Sequence, residues 1–138
     1  MLNIVRTAEV LQRAIADFLD GFGLSSAQYN VLRILRGARP AGTTCSQIGK
    51  RMLTHDPDIT RLLDRMEARG LIARARDGAD RRAVITRITE TGLAAVGEID
   101  QPLKKLFQTR LGKISRDEVA SLTAQLEKVR EAFGPETE

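Results

Sequence analysis

The sequence predicts a mainly α-helical fold with one small β-ribbon, and three observations carry that expectation. Apolar residues recur at three- and four-residue spacing through most of the chain, as they do along the buried stripe of a helix. Several of those stretches open on serine or threonine followed three residues later by glutamine or glutamate. In that arrangement the two side chains satisfy backbone N–H groups that a helix start leaves unpaired. Only between Leu71 and Ile88 does the pattern become that of two strands, joined by the turn residues DGAD.

Taken in order, Val5, Ala8, Leu11, Ile15, Phe18 and Leu19 form a helical stripe over Leu2 to Leu19, ended by the glycines of DGFG. Ser25 and Gln28 then cap a helix carrying Tyr29, Leu32 and Leu35, closed by RGARPAG. The same punctuation at Thr44 and Gln47 starts a short helix through Ile48 to Leu53. Asp56 and Pro57 supply the next start, with proline at the first helical position, where its missing N–H costs nothing. That helix runs to Arg69 and stops at Gly70. Leu71 to Arg76 and Arg82 to Ile88 are the two strands, with Val84, Thr86 and Ile88 on one face and Ile85 on the other. Thr89 and Glu90 open a long helix through Leu93, Val96, Ile99, Leu103, Leu106 and Phe107, with a kink or a new turn expected at Pro102. A last helix, capped by Ser115 and Glu118, carries Val119, Leu122, Leu126, Val129 and Phe133.

Two short helices joined by a tight turn near Thr54 and His55 are a helix-turn-helix, and the ribbon behind them makes it a winged one. The expected layout is a single domain over 1–138. Residues 24–92 form the winged helix-turn-helix, and 1–22 and 93–138 are dimerisation helices, because the outer stripes face too little material within 138 residues. A twofold homodimer would set two recognition helices about 34 Å apart, one turn of duplex DNA.

Charge agrees with a polyanionic partner. The net charge is +4, and arginine, whose planar fork matches phosphate oxygens, far outnumbers lysine. From Thr60 to Ile88 eight arginines oppose four carboxylates, while Ser115 to Glu138 carries a surplus of three acids. A basic middle with an acidic end suits a protein that holds a polyanion centrally, such as the double-stranded DNA that a winged helix-turn-helix would take, and something else at its ends. The one cysteine, Cys45, excludes an internal disulfide and fits a reducing compartment. The amino terminus lacks the apolar core of a signal peptide, and no apolar run approaches bilayer-spanning length, so a cytoplasmic protein with no membrane partner is expected.

In the helix after Asp56, Ile59, Leu62, Leu63 and Met66 share the inward face. Thr60, Arg61 and Asp64 point the other way, with Arg65 at the edge. Bases are read by the first turns of such a helix, which singles out Asp58, Thr60 and Arg61. Arginine pairs bidentately with guanine, and threonine offers a hydroxyl and a methyl to thymine. The alternative is a solvated face laced by ion pairs such as Arg61 with Asp64. At the ribbon tip Asp80, Arg81 and Arg82 suit minor-groove insertion, with a carboxylate orienting a cation; a charged tip that merely keeps the edge solvated is the rival. His55 and Arg65 are candidate phosphate contacts.

Those stretches resemble one family. TRLLDRMEARGLIARARDGADRRAVITRITETG is similar to the signature of the MarR family of bacterial winged-helix regulators. LSSAQYNVLRIL matches that family's second helix and TTCSQIGKRM its third, so the resemblance covers Leu24 to Gly92 closely. Ile88 and Thr91 depart from the leucine and alanine often found there. The resemblance implies that Asp80 and Arg82 are the family's D-x-R wing element, with Arg82 in the minor groove and Asp80 orienting it. It places the recognition-helix contacts on Asp58, Thr60 and Arg61. It further implies a homodimer acting as a repressor on a pseudo-palindromic operator. Release by a small aromatic or lipophilic effector entering a crevice below the dimerisation helices is part of the same expectation. Phe18, Tyr29 and Phe107 are crevice candidates, although each also fits ordinary core packing, so the effector-binding residues stay unassigned.

Other chemistry finds no support in the residues. No P-loop, strand-linked GxGxxG, CxxC or HExxH occurs, and the lone histidine has no ligand-spaced companions, so neither catalysis, metal nor cofactor is expected. Asp56 and Asp58 are explained by helix capping. Cys45 at a helix start could ionise readily, but the chain holds no resolving cysteine. A winged helix that docks proteins, and an architectural DNA binder without sequence preference, remain as rival readings. A steep salt dependence with little selectivity would mark the second.

Overall fold

The computed structural model describes residues 1–53, 58–77 and 83–134. Its elements are α1 (Leu2–Asp20), α2 (Ser26–Gly37), β1 (Thr43–Thr44), α3 (Cys45–Arg51), α4 (Ile59–Ala68), β2 (Ile72–Arg76), β3 (Val84–Ile88), α5 (Glu90–Arg110) and α6 (Arg116–Phe133). The mainly helical class with a small sheet is the observed one. Packing divides the chain into two units, Met1–Gln101 and Pro102–Glu138, with the break at the proline inside α5.

In the first unit the core collects one face from each element. Val31, Leu32 and Leu35 of α2, Ile48 of α3, Leu62, Leu63 and Met66 of α4, Ile72 of β2, and Val96 and Ile99 of α5 are all buried. Burying each of these side chains contributes about 1.5–3 kcal/mol. Ser25 caps α2 through a complete capping box: its hydroxyl accepts from the Gln28 N–H while the Gln28 side chain accepts from the Ser25 N–H. At Thr44 only half of the expected pair forms. The Thr44 hydroxyl accepts from Gln47 N–H at 3.3 Å, but the Gln47 carbonyl oxygen is taken by the Thr43 hydroxyl.

That diversion follows from a strand the sequence did not announce. Thr43 and Thr44 pair with Thr86 and Ile85, so the expected two-stranded ribbon is a three-stranded antiparallel sheet in the order β1-β3-β2. β2 and β3 pair from Ile72↔Ile88 to Arg76↔Val84, and Asp77 N–H donates to Ala83 C=O at 2.9 Å, extending the ladder toward the tip. On β3 the shared face of Val84, Thr86 and Ile88 is covered unevenly: Thr86 is buried while Val84 is exposed. The Thr86 hydroxyl has no hydrogen-bond partner among the described residues. An unsatisfied buried hydroxyl costs free energy that a methyl of the same shape does not. Thr86→Val is therefore expected to raise the unfolding free energy by about 1 kcal/mol in urea titrations, and a loss of stability would mean the hydroxyl is satisfied in solution.

The junction into α5 is closed by one side chain. The Thr89 hydroxyl donates to Gly70 C=O at 2.6 Å and accepts from Gly92 N–H at 3.0 Å, while Thr89 N–H reaches Leu71 C=O at 3.2 Å. Gly70 takes the left-handed conformation, φ +70°, expected of the residue that ends α4. Arg36 near the end of α2 grips Asp100 of α5 with both terminal guanidinium nitrogens, Nη1 and Nη2, at 2.6 and 3.2 Å. Along α1 only Leu19 is buried; Ile15 and Phe18 are half-buried and Leu2, Val5 and Leu11 are exposed.

The second unit is the end of α5 followed by α6. Ser115 and Glu118 form the predicted capping box, and the Glu118 carboxylate is held below its ordinary pKa by the backbone and side-chain hydrogen bonds it exchanges with Ser115. No residue of α6 is buried, and Val119, Leu122, Val129 and Phe133 of its stripe are exposed. No helix among the described residues is long and apolar enough to cross a membrane.

Candidate nucleic-acid interface

The recognition helix of the sequence reading is α4. The described helix begins at Ile59 with Asp58 as N-cap. Asp58 has non-helical backbone angles, and its carboxylate accepts from Arg61 N–H at 3.4 Å. It also lies 3.2 Å from Arg61 Nε. Asp58 was expected to read bases; here its carboxylate is engaged in starting the helix and in steadying Arg61.

Leu62, Leu63 and Met66 turn inward as expected, and Ile59 is half-buried against α3, its Cδ1 lying 3.7 Å from where a side chain on Gly49 would begin. Thr60, Arg61 and Arg65 are exposed on the opposite side. The Arg61 side chain is 79% exposed despite its pair with Asp58, so that contact leaves the guanidinium largely presented to solvent. Exposed i,i+3 pairs of this kind contribute only tenths of a kcal/mol and exchange readily for another partner. Three of the predicted residues, Thr60, Arg61 and Arg65, thus come together on one outward surface.

His55 and the wing residues Asp80, Arg81 and Arg82 lie outside the described residues, as do the turn at Thr54 and His55 and the Asp56–Pro57 start. Before the helix, the buried Asn30 of α2 accepts from Leu53 N–H at 2.8 Å and so ties the end of the α3 segment to the core. Lys50 and Arg51 sit exposed in the last turn of α3. Cys45 is the half-buried first residue of α3.

One group at this surface escaped the sequence reading. Arg74 of β2 lies across α4: its Nε and Nη2 donate to Glu67 Oε2 at 3.0 and 2.7 Å, and Nη2 also reaches Asp64 Oδ1 at 2.5 Å. Its backbone N–H donates to Glu67 Oε1 at 3.0 Å. Asp64 is therefore paired with Arg74 and not with Arg61. The guanidinium of Arg74 holds the Glu67 carboxyl below the usual carboxylate range. The signal available in the sequence was two carboxylates three residues apart on the helix followed by an arginine on the adjoining strand, but nothing local aligned them.

The sign of the pH effect follows from that direction. A carboxyl with a lowered folded-state pKa contributes stability in full above its unfolded value of about 4.5, and loses it as pH falls through the folded value. The native protein should therefore resist urea better than Glu67→Gln at neutral pH. The difference between the two midpoints should close below pH 4.5; a gap that persists in acid would remove the ion pair as its cause.

The model of the MarR family matches residues 22–83, from the end of α1 to the wing. The multiple antibiotic resistance protein MarR of Escherichia coli (strain K12) is 30% identical over 118 residues, 85% of this chain and 81% of that protein. The chain belongs to the MarR family of transcription regulators.

Solved MarR structures agree in fold. A MarR transcription factor from Planctomyces limnophilus is 35% identical and superposes with a TM-score of 0.70, covering 91% of each chain. A cysteine-substituted MarR mutant from Escherichia coli complexed with operator DNA is 28% identical with a TM-score of 0.81, covering 91% of this chain and 89% of that one. The relatives are regulators, which agrees with a MarR chain that works by binding and not by catalysis.

Proposed function

We propose that this MarR-family regulator binds duplex DNA sequence-specifically as a cytoplasmic homodimer and represses transcription from a pseudo-palindromic operator. The observation that carries the reading is the outward surface of α4. The core fixes its inner face, and Thr60 and Arg61 stand exposed in its first turns, the position from which such helices read major-groove edges. The similar MarR mutant whose structure contains operator DNA supports the same reading. On this proposal Arg65 and His55 would contact phosphates, Arg82 would enter the minor groove with Asp80 orienting it, and Arg81 would add charge at the wing.

Dimerisation is supported by the uncovered apolar residues of α1 and α6, which a second copy would bury. Relief by a small aromatic or lipophilic effector completes the proposal. It would act by changing the separation of the two recognition helices, and a coupling of about 1–3 kcal/mol suffices to change operator affinity 5- to 150-fold.

The deciding experiment is selection of bound fragments from random duplex DNA near physiological salt, followed by sequencing. A pseudo-palindrome with half-sites about one turn apart supports the reading. Binding without enrichment that vanishes as salt rises would replace it with an architectural binder. On the selected operator, Arg61→Ala should cost about 1–3 kcal/mol and relax preference at one base pair. Arg82→Ala should cost a similar amount and flatten the preference for A·T beside the half-site, an outcome read by titrating operator variants. Unchanged affinity in the second variant would remove the wing from the mechanism.

A further inference from the structure

Asp64 presents a difficulty for DNA reading. It sits one helical turn beyond Thr60 and three residues from Arg61 on the exposed side of α4, where a free carboxylate would repel phosphates or capture Arg61 in an i,i+3 pair. Glu67, three residues further on, adds a second negative charge to the same helix. The structure resolves the difficulty with Arg74.

We propose that Arg74 is a positioning residue for DNA recognition, drawing Asp64 and Glu67 into one cluster so that neither carboxylate competes with the duplex for Arg61. The proposal rests on the DNA-binding reading above and assigns a role within it. Glu67 grips Arg74 from two sides, accepting from its backbone N–H with one oxygen and from Nε and Nη2 with the other. That aims the guanidinium, and Nη2 is thereby placed to reach Asp64 as well. The Arg74 side chain is only 23% exposed, and its strand position is set by pairing with Thr86, so it is anchored where Arg61 is not. With both carboxylates engaged, the helix meets DNA carrying one net negative charge from this cluster instead of two. Among the described residues the ion pair given to Arg61 is the exposed one with Asp58. The Arg74 contacts also bind β2 directly to α4.

The test is a titration of the selected operator by fluorescence anisotropy with the full-length native protein, Arg74→Ala, Arg74→Lys, Asp64→Asn and the double variant Arg74→Ala/Asp64→Asn, each with its melting temperature. Arg74→Ala should weaken binding about tenfold, equivalent to about 1.4 kcal/mol, and adding Asp64→Asn should recover most of that loss. Asp64→Asn alone should leave affinity within about twofold of native, because its charge is already engaged. Arg74→Lys, which keeps the charge but not the two-pronged grip, should fall between native and Arg74→Ala and covers the case in which the alanine variant does not fold. A merely structural Arg74 predicts that the melting temperature falls and that Asp64→Asn restores no affinity; that result overturns the proposal, as does native-like binding by Arg74→Ala. A native protein that binds no duplex would instead overturn the DNA-binding reading, an outcome visible before any variant is compared.

Discussion

Gly92→Ala is expected to destabilise the first unit by about 2 kcal/mol or more. A Cβ on Gly92 would lie 2.1 Å from the carbonyl oxygen of Leu71, 2.8 Å from Ile88 Cγ1 and 3.1 Å from the Leu71 carbonyl carbon. Two of these neighbours are backbone atoms at the entrance to β2, and they cannot swing aside as a side chain tip can. Either the start of α5 or the strand must move. The Thr89 hydroxyl, which holds Gly70 and Gly92 together, would be pulled apart by that movement. Alanine in a helix gains about 1 kcal/mol over glycine from propensity, so the clash must outweigh a real benefit. Gly97→Ala in the same helix supplies the control, since a Cβ there meets nothing within 4 Å; it should raise stability by up to about 1 kcal/mol. Urea midpoints that move in opposite directions for the two variants would support the packing account. Equal gains would show that α5 relaxes away from Leu71 at no cost.

Removal of every residue after Gly112 should produce the largest functional change. It deletes α6, whose exposed Val119, Leu122, Val129 and Phe133 have no cover within the described chain. If these side chains form the dimer contact, the truncated protein should sediment as a monomer. Operator affinity should then fall by about 10²–10⁴, the usual gain from tethering two half-site binders together. A truncated protein that still sediments as a dimer would assign the contact to α1 and the end of α5. Affinity unchanged in a monomer would show that one recognition helix suffices.

How far the sequence led depended on the range of the interaction involved. The capping boxes at Ser25/Gln28 and Ser115/Glu118 were legible because donor and acceptor lie three residues apart and need no other element. The inward stripe of α4 was equally plain, as were the glycine that ends it and the two strands that follow. β1 was not legible, because two threonines acquire strand geometry only by pairing with Thr86 and Ile85 some forty residues away. At the start of α4 the sequence DPD offers two aspartates, each able to cap, and the described helix is capped by the second, Asp58. Arg74 was overlooked for the same reason as β1. Its partners lie seven and ten residues earlier, across the turn at Gly70, and only the folded strand brings the guanidinium over Glu67 and Asp64.

The outward surface of α4 has a consequence for how such a protein can diverge. Thr60 and Arg61 touch almost nothing that the fold depends on, whereas Leu62, Leu63 and Met66 beside them in sequence are fully enclosed. Substitutions at the first pair are therefore nearly free of folding penalty, since surface changes away from special features fall within about 0.5 kcal/mol. A duplicated gene could exchange one preferred base for another in single steps, each yielding a well-folded product. Kinship among such proteins would then persist in their cores while their targets drift apart.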